Sequence, residues 1–189
     1  MNLPETACIS VQGPSPLLDL GGFHFGDDVL FDSSNGGLDA DAGFKKSNKL
    51  LNDIVHNGLL QKCGYKLRDI VFLGFGQGGM AALSFATQQS SEELGGVISV
   101  GAGLPSEVAI QSQKCQTPIL VCAGSNASSV TDASEEKLNN VFSHVKIKRY
   151  RRSGDGMPNN RDEMMPIMQF LSRRLKSTKG VPAGSVEVG

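Results

Sequence analysis

Val71-Phe72-Leu73-Gly74-Phe75-Gly76-Gln77-Gly78-Gly79-Met80 is the stretch of this chain that decides the fold. An uncharged, strand-like run ends in Gly-x-Gly-x-Gly and continues into the small residues of a helix that can pack closely. The spacing is that of a nucleophile elbow, in which a buried strand turns sharply into a helix and exposes a serine midway between two small residues. The central residue here is Gly76, so the stretch predicts the turn without the hydroxyl.

Length and charge narrow the function classes. The chain has 189 residues, 39% of them apolar, and a formal net charge of −1. This length suits one domain, and the balanced charge gives no field that would attract nucleic acid. No apolar run approaches the roughly 18 residues of a membrane span, and no signal-peptide pattern opens the chain. We therefore expect a cytoplasmic protein without a transmembrane segment or a nucleic-acid partner.

The four cysteines are widely spaced and form neither a C-x-x-C pair nor a zinc-like pattern. Cys8 and Cys122 lie in apolar runs, where a thiol behaves as a small hydrophobe, so we expect both to be buried. We expect neither a metal nor a cofactor. The full set is Cys8, Cys63, Cys115 and Cys122.

Short apolar runs alternate with helical patterns, which predicts an α/β fold with a mostly parallel sheet flanked by helices. The predicted strands are 7–11, 69–73, 96–100, 118–123 and 145–150, and the predicted helices are 44–63, 77–88, 134–142 and 160–175. Pro166 predicts a late start or a kink in the last helix. A Gly- and Asp-rich surface loop is predicted over 17–43. Residues 1–176 form the predicted single domain, and 177–189 a frayed tail.

The elbow resembles the Gly-Phe-Ser-Gln-Gly-Gly motif of the phospholipase/carboxylesterase family of α/β-hydrolases, which includes acyl-protein thioesterases and lysophospholipases. Residues 11–14 and 22–25 resemble the family's strand and the loop that covers its active site. Residues 101–105 resemble the family's segment that follows the next strand and ends in Leu-Pro. The resemblance covers nearly the whole chain. It implies the α/β-hydrolase fold and hydrolysis of carboxylic esters or thioesters by a Ser-Asp-His triad.

Each catalytic position of that family falls on a residue unsuited to the role. The nucleophile corresponds to Gly76, and the acid to Ala127 in the loop after the strand at 119–124. The base corresponds to Asp155 or to Met157, depending on where a gap is placed. Because a serine hydrolase needs all three members, we interpret the chain as a pseudoenzyme that has lost its triad. An active ester or thioester hydrolase with an unrecognised constellation is the alternative.

The three histidines differ in their relation to the elbow. His24 lies in the segment that the family places over the pocket, so it is the only histidine expected near Gly76. His56 falls within a predicted helix, and His144 precedes the last strand at its far end. Cys122 is the candidate for a substitute nucleophile, but its apolar flanks predict a raised pKa and an inert thiol.

The binding pocket is the part of the family site that this chain is expected to keep. Gln77 corresponds to the residue whose backbone N–H serves the oxyanion hole. With Gly78 and His24 it forms the predicted oxyanion or ligand pocket, whose amides either bind the carboxylate of a small acyl ligand or merely begin the helix. A protein partner bound through the inherited groove is the alternative to an acyl ligand, and the sequence does not identify that partner.

The family begins with a central strand that ends in His-Gly-x-Gly-Asp, and nothing similar precedes Ala7. Either the strands at 7–11 and 69–73 then leave a gap, or they pair directly. We expect the gap, with Met1 internal to a longer protein; a truncated, non-functional product is a further hypothesis.

Five basic residues surround the last strand. They are predicted to protect an exposed sheet edge, with a phosphate or membrane site as the alternative, and are Lys146, Lys148, Arg149, Arg151 and Arg152.

Overall fold

The structure is a computed structural model that describes residues 5–18, 21–30, 39–89 and 92–175. Two short strands, β1 (Ser15–Pro16) and β2 (Phe23–His24), form an antiparallel pair. The main sheet is parallel, with strand order β3-β4-β5-β6. Its strands are β3 (Val71–Phe75), β4 (Gly96–Val100), β5 (Ile119–Ala123) and β6 (Val145–Arg149). The α/β-hydrolase-type parallel sheet predicted from the sequence is confirmed.

Helices cover both faces of this sheet. They are α1 (Lys45–Asn52), α2 (Gln77–Thr87), α3 (Asp132–Val141) and α4 (Arg161–Arg174), with a π-helical segment at Asp53–Lys62 and a 3₁₀ turn at Leu67–Asp69. Neighbouring residues of β4 face opposite layers: Val97 packs in the core cluster that contains α1, α2 and α3, and Ile98 packs in the cluster that contains α4. All residues of β4 and β5 are buried, as expected where both faces of a parallel sheet are covered.

The helix predicted over 44–63 forms, but it changes type halfway. α1 passes directly into the π-helical segment, in which hydrogen bonds span five residues. Its apolar pairs, Ile54-Val55 and Leu59-Leu60, are themselves five residues apart, so this spacing suits the wider turn better than a regular α-helix.

Three expectations are wrong: the strand at 7–11, the burial of Cys8 and an uninterrupted loop over 17–43. Residues 7–11 form no strand, and residues 7–10, including Cys8, are exposed. A strand needs a hydrogen-bonded neighbour, and none lies beside this run among the described residues. The predicted loop over 17–43 contains β2 in its described part. Of the two alternatives for α4, the late start does not occur: Asn160 caps the helix by accepting from Glu163 N–H at 3.0 Å, and the helix runs through Pro166.

The remaining strands and helices lie within two residues of their predicted bounds. The predicted tail at 177–189 lies outside the described residues. Among the residues that the structure describes, no helix has the length and apolar character needed to cross a membrane.

The covering segment is attached to α1 through one carboxylate. Asp27 accepts from the backbone N–H groups of Lys45 and Lys46 at 2.9 and 2.7 Å, at the start of that helix. These amides have no partner within the helix, and a negative charge at this end also complements the helix dipole. Asp27 thus caps α1 from a distance of 18 residues along the chain.

We predict that Asp27→Ala lowers the free energy of unfolding by about 1–2 kcal/mol, because it removes both the cap and its charge. Urea unfolding followed by circular dichroism measures the change. Asp28→Ala is the matched control, since this carboxylate accepts from the adjacent Val29 N–H and caps no helix among the described residues. Equal losses in the two variants would show that the cap has no special role.

Candidate functional site

The elbow is formed as a sharp left-handed turn between β3 and α2. Gly76 has φ 52° and ψ −124°, a conformation that side-chain-bearing residues adopt only under strain. Its N–H donates to the Val100 carbonyl at 3.0 Å, and its own carbonyl accepts from Gly79 and Met80 as the helix begins. A Cβ atom at Gly76 would have no neighbour within 4 Å, so the space above the turn is open.

The flanking glycines have a different role, because they allow backbone to touch backbone. A Cβ on Gly74 would overlap the backbone of Gly78, and a Cβ on Gly79 would overlap the Ser99 side chain of β4. Ser99 is fully buried and donates to the Ala102 carbonyl at 2.7 Å. The close approach of strand, helix and neighbouring strand therefore excludes side chains at Gly74 and Gly79.

The side chain of Gln77 ties the covering segment to the elbow. Its Oε1 accepts from Phe25 N–H at 3.2 Å, and its Nε2 donates to the Ala40 carbonyl at 3.1 Å. The sequence analysis gave Gln77 only a backbone role and missed these side-chain contacts. The only hint in the sequence was the presence of a side-chain amide at the first position of the helix.

The predicted pocket residues come together. His24 and Gln77 both border Gly26: a Cβ atom added to Gly26 would lie 3.2 Å from Nδ1 of His24 and 3.3 Å from Nε2 of Gln77. The Phe25 ring borders Gly78, where an added Cβ atom would lie 3.6 Å from the ring. Gln77 and Gly78 are the first two residues of α2, and their N–H groups precede the first helical bonds, which Gly79 and Met80 make.

The other two histidines lie elsewhere. His56 is paired with Gln89 at 3.1 Å, as a packed helical residue. His144 is exposed at the amino-terminal end of β6, with its carbonyl bound to Ile119 N–H.

Asp155 binds the loop that carries Ala127, the residue predicted at the acid position. Its Oδ1 accepts from Gly124 N–H at 2.9 Å and from the Ser128 hydroxyl at 2.8 Å, and its Oδ2 accepts from Ser129 N–H at 2.7 Å. Within this loop, Ala127 is exposed and has a φ of 48°, in the left-handed region. The carboxylate therefore closes the loop that carries Ala127, the residue to which the sequence resemblance assigned the acid position.

Of the two alternatives for the base position, the structure brings Asp155 to this junction. Its Cβ lies 2.6 Å from the point where a Cβ on Gly101 would sit, at the end of β4. Met157 is 46% exposed, and its carbonyl accepts from Arg152 at 2.9 Å. Met157 thus belongs to the outer part of the connection before α4.

Desolvation acts to raise the pKa of the Asp155 carboxyl, but the hydrogen bonds from Gly124, Ser129 and Ser128, together with the charge of Arg149, outweigh it. The net pKa lies below the ordinary value of 3.8. The group is therefore ionised at neutral pH and occupied as an acceptor.

Two of the five basic residues around β6 make hydrogen bonds and ion pairs that hold neighbouring loops. Arg149 pairs with Glu135 and also donates to the carbonyls of Gly124 and Val130, which fixes both ends of the acid loop. Arg152 pairs with buried Glu163 at 3.0 Å and lies over the Tyr150 ring. The edge-protection prediction therefore needs correction for these two arginines, whose side chains hold the site loops.

Three residues of the cluster, Lys146, Lys148 and Arg151, are exposed. The two lysines lie on β6, the outer strand at that end of the sheet, which is the location that the edge-protection prediction requires.

Cys122 is fully buried in β5, beside Tyr150. Burial raises the pKa of its thiol to about 11, against opposing contributions from Tyr150 and Lys148. The predicted burial of Cys122 is confirmed, and the raised pKa agrees with the prediction of an unreactive thiol. Cys63 is exposed, and Cys115 is half-buried with its thiol directed to the Ala86 carbonyl.

The sequence matches the family model for phospholipase/carboxylesterase over residues 1–175. The chain belongs to this family. An uncharacterized hydrolase of Schizosaccharomyces pombe is 31% identical over 180 residues, which is 92% of this chain and 73% of the yeast protein. The family resemblance drawn from the elbow motif is thereby confirmed.

Solved structures show the same fold at low identity. SOBER1 of Arabidopsis thaliana superposes with a TM-score of 0.59 at 20% identity, over 82% of this chain and 76% of its own. A carboxylesterase from Mesorhizobium loti gives a TM-score of 0.63 at 13% identity, over 85% of this chain and 73% of its own. These likenesses support an α/β-hydrolase fold for this family member.

We predict that Asp155→Asn weakens the acid dependence of stability. Because the pKa of Asp155 is lower in the folded than in the unfolded state, its contribution is complete above the ordinary value of 3.8 and is lost as the pH falls below it. The variant loses this contribution at every pH, so its unfolding free energy falls less steeply on acidification.

Urea unfolding at a series of pH values from neutral to acidic measures this slope. Ser128→Ala removes only one of the donors to the carboxylate and should give an intermediate slope. If Asp155→Asn retains the full wild-type slope, the proposed linkage is wrong.

Proposed function

We propose that this chain is a non-catalytic member of the phospholipase/carboxylesterase family, a pseudoenzyme that keeps the elbow and its covering segment without the triad. One combined observation supports this proposal. The elbow residue, Gly76, has no side chain, and the carboxylate of Asp155, in the loop where a base is expected, already accepts hydrogen bonds from three donors.

The chemistry of acyl transfer explains why these positions matter. A serine hydrolase needs a hydroxyl oxygen to attack the acyl carbon and a base to take its proton, and a third group holds the base in the correct tautomer. Gly76 supplies no hydroxyl, and the methyl of Ala127 cannot orient a base. The lowered pKa of Asp155 makes it a poor proton acceptor at neutral pH.

An active hydrolase with another constellation is the competing function. It would need a nucleophile near His24, the histidine beside the elbow. Two serine hydroxyls lie in or near the covering segment, but that of Ser15 donates to the Gly26 carbonyl and that of Ser47 to the Phe25 carbonyl. Their commitment to these backbone groups favours a structural role and supports the pseudoenzyme.

The retained binding function that we propose is recognition of the carboxylate of a small acyl ligand by the N–H groups of Gln77 and Gly78. The open space above Gly76 would admit such a group, and the start of α2 favours negative charge. Two surface depressions of the described residues lie elsewhere; one, of about 600 Å³, lies near Lys66 and Lys114, and the other, of about 530 Å³, near Lys46 and Leu50.

Hydrolysis of p-nitrophenyl esters, combined with fluorophosphonate labelling, tests for catalysis. We expect no turnover above that of the heat-denatured protein and no labelled residue. Specific labelling with turnover would establish the competing hydrolase. A thermal melt separates both functions from a non-functional fragment, because a cooperative transition requires a stable core.

We further predict that Gly76→Ser creates no esterase activity, because the hydroxyl still lacks a base. The same variant should lose about 1–3 kcal/mol of stability, since serine is strained at this positive φ. Gly76→Ala is the matched control: it carries the same backbone strain without a hydroxyl, so the two variants should have similar unfolding free energies. Burst kinetics in the serine variant alone would reveal a working base.

A further inference from the structure

The outer strand β6 has an open backbone edge. Among the described residues β6 pairs with β5 on one side and has no strand on its other side. Immediately before and after β6, the His144 carbonyl and the Tyr150 N–H both bond to backbone groups of β5. Because the direction of these groups alternates along a strand, Val145, Ile147 and Arg149 direct their N–H and C=O groups to the open edge.

The side chains of β6 divide into an apolar row and a basic row. Val145 and Ile147 are half-buried against the core cluster that contains α1, α2 and α3. Lys146 and Lys148 therefore lie on the opposite face of the sheet, the face that carries α4, and both are exposed. Within the described part of the chain, neither ammonium group has a carboxylate at ion-pair distance.

Two carboxylates near the end of β6 already have cationic partners. Glu135 pairs with Arg149, and Glu163 pairs with Arg152. Arg151, which follows the strand, is exposed and adds a further positive charge. The open edge of β6 therefore combines unpaired backbone groups with a positive charge that favours an acidic ligand.

These two features together favour an extended acidic peptide over other anions. The backbone of an added strand supplies both donors and acceptors to an open sheet edge, which is the mode of recognition called β-augmentation. A phosphate group offers acceptors only, so it would leave the edge carbonyls without partners. Lys146 and Lys148 are two residues apart, about 7 Å along the strand, and alternate side chains of an added strand have the same spacing.

The same lysines disfavour a second copy of β6 as the added strand. In an antiparallel pair of two β6 strands centred on Ile147, Lys146 of one copy would lie opposite Lys148 of the other. Like charges that lie directly opposite each other destabilise a strand pair, whereas opposite charges stabilise it. The two lysines thus protect the edge against self-association and at the same time select an acidic partner.

We propose that β6 binds an extended acidic segment of a partner protein as an additional antiparallel strand, with the carboxylates of alternate residues beside Lys146 and Lys148. An antiparallel edge strand is common on an otherwise parallel sheet, and antiparallel pairing is slightly more stable per residue. The lysine backbones are turned towards β5, so each lysine and its opposite residue form a non-hydrogen-bonded pair, in which side chains lie close together. This interface is separate from the elbow and does not rest on the loss of catalysis.

Fluorescence anisotropy of the full chain with a labelled eight-residue peptide of alternating valine and glutamate tests the charge selection. We expect saturable binding with a Kd below about 1 mM and no binding of the same peptide with lysine in place of glutamate. Lys146→Glu combined with Lys148→Glu should reverse this preference: the Kd for the acidic peptide rises at least about tenfold, and the lysine peptide now binds.

Lys45→Glu combined with Lys49→Glu is the matched control. Both lysines are exposed on α1, and this double variant has the same net charge as the β6 variant, so it should keep the wild-type preference. Thermal melts verify that both double variants fold.

N-methylated peptides test the backbone pairing separately, because N-methylation removes an N–H donor without changing the charge. In the proposed register the valine N–H groups face β6 and the glutamate N–H groups face away from it. N-methylation of the valines should therefore abolish binding, and N-methylation of the glutamates should leave the Kd within about threefold of its original value.

The proposal is overturned if the acidic peptide does not bind, or if the acidic and lysine peptides bind equally. Equal effects of the two double variants would show that the contact lies elsewhere than β6. Equal affinities of the two N-methylated peptides would exclude an added strand, and a loss confined to the glutamate-methylated peptide would exclude the antiparallel register. Co-sedimentation with phosphatidylserine vesicles in the absence of any peptide binding would identify a membrane surface instead and would also overturn the proposal.

Discussion

The direct backbone contact between Gly74 and Gly78 is the constraint on which the rest of the site depends. No side chain separates the end of β3 from the start of α2, so the helix lies close enough for Gly79 to meet Ser99 on β4. The left-handed conformation of Gly76 lets the chain make this reversal within one residue. Because the helix begins at this place, Gln77 can reach the covering segment with both atoms of its amide.

A second constraint acts at the carboxyl ends of the neighbouring strands. In a serine hydrolase, a histidine and an acid link the loops after the last strands through their own hydrogen bond. Here Asp155 links the same loops by accepting from Gly124, Ser128 and Ser129, and Arg149 adds two carbonyl contacts. Reactive groups are often kept partly unsatisfied at a cost in stability. At this site the Asp155 carboxylate and the Arg149 guanidinium both have hydrogen-bond partners, most of them backbone groups.

Elements that depend on a local sequence pattern were predicted correctly from the sequence. Features that depend on contacts with residues far away in the chain were not. β4 and β5 were recognisable as unbroken apolar runs, and the elbow as a fixed spacing of glycines. The run at 7–11 has an equally strand-like composition, but strand formation depends on a neighbour that composition does not reveal. The contacts of Asp155 could not be predicted, because its donors lie 26–31 residues away along the chain. Arg149 looked like a surface charge for the same reason.

The glycines of the elbow separate what the fold requires from what the reaction requires. Gly74 and Gly79 are needed for space, since a Cβ at either would overlap neighbouring atoms, whereas at Gly76 the space is open. Only the positive φ favours glycine there, and a serine in this conformation carries strain of about 1–3 kcal/mol. A strained serine contributes to catalysis only when a base can take the proton from its hydroxyl. Under the proposed loss of the triad, glycine at this position retains the turn and removes the strain, so the elbow can remain as a structural turn.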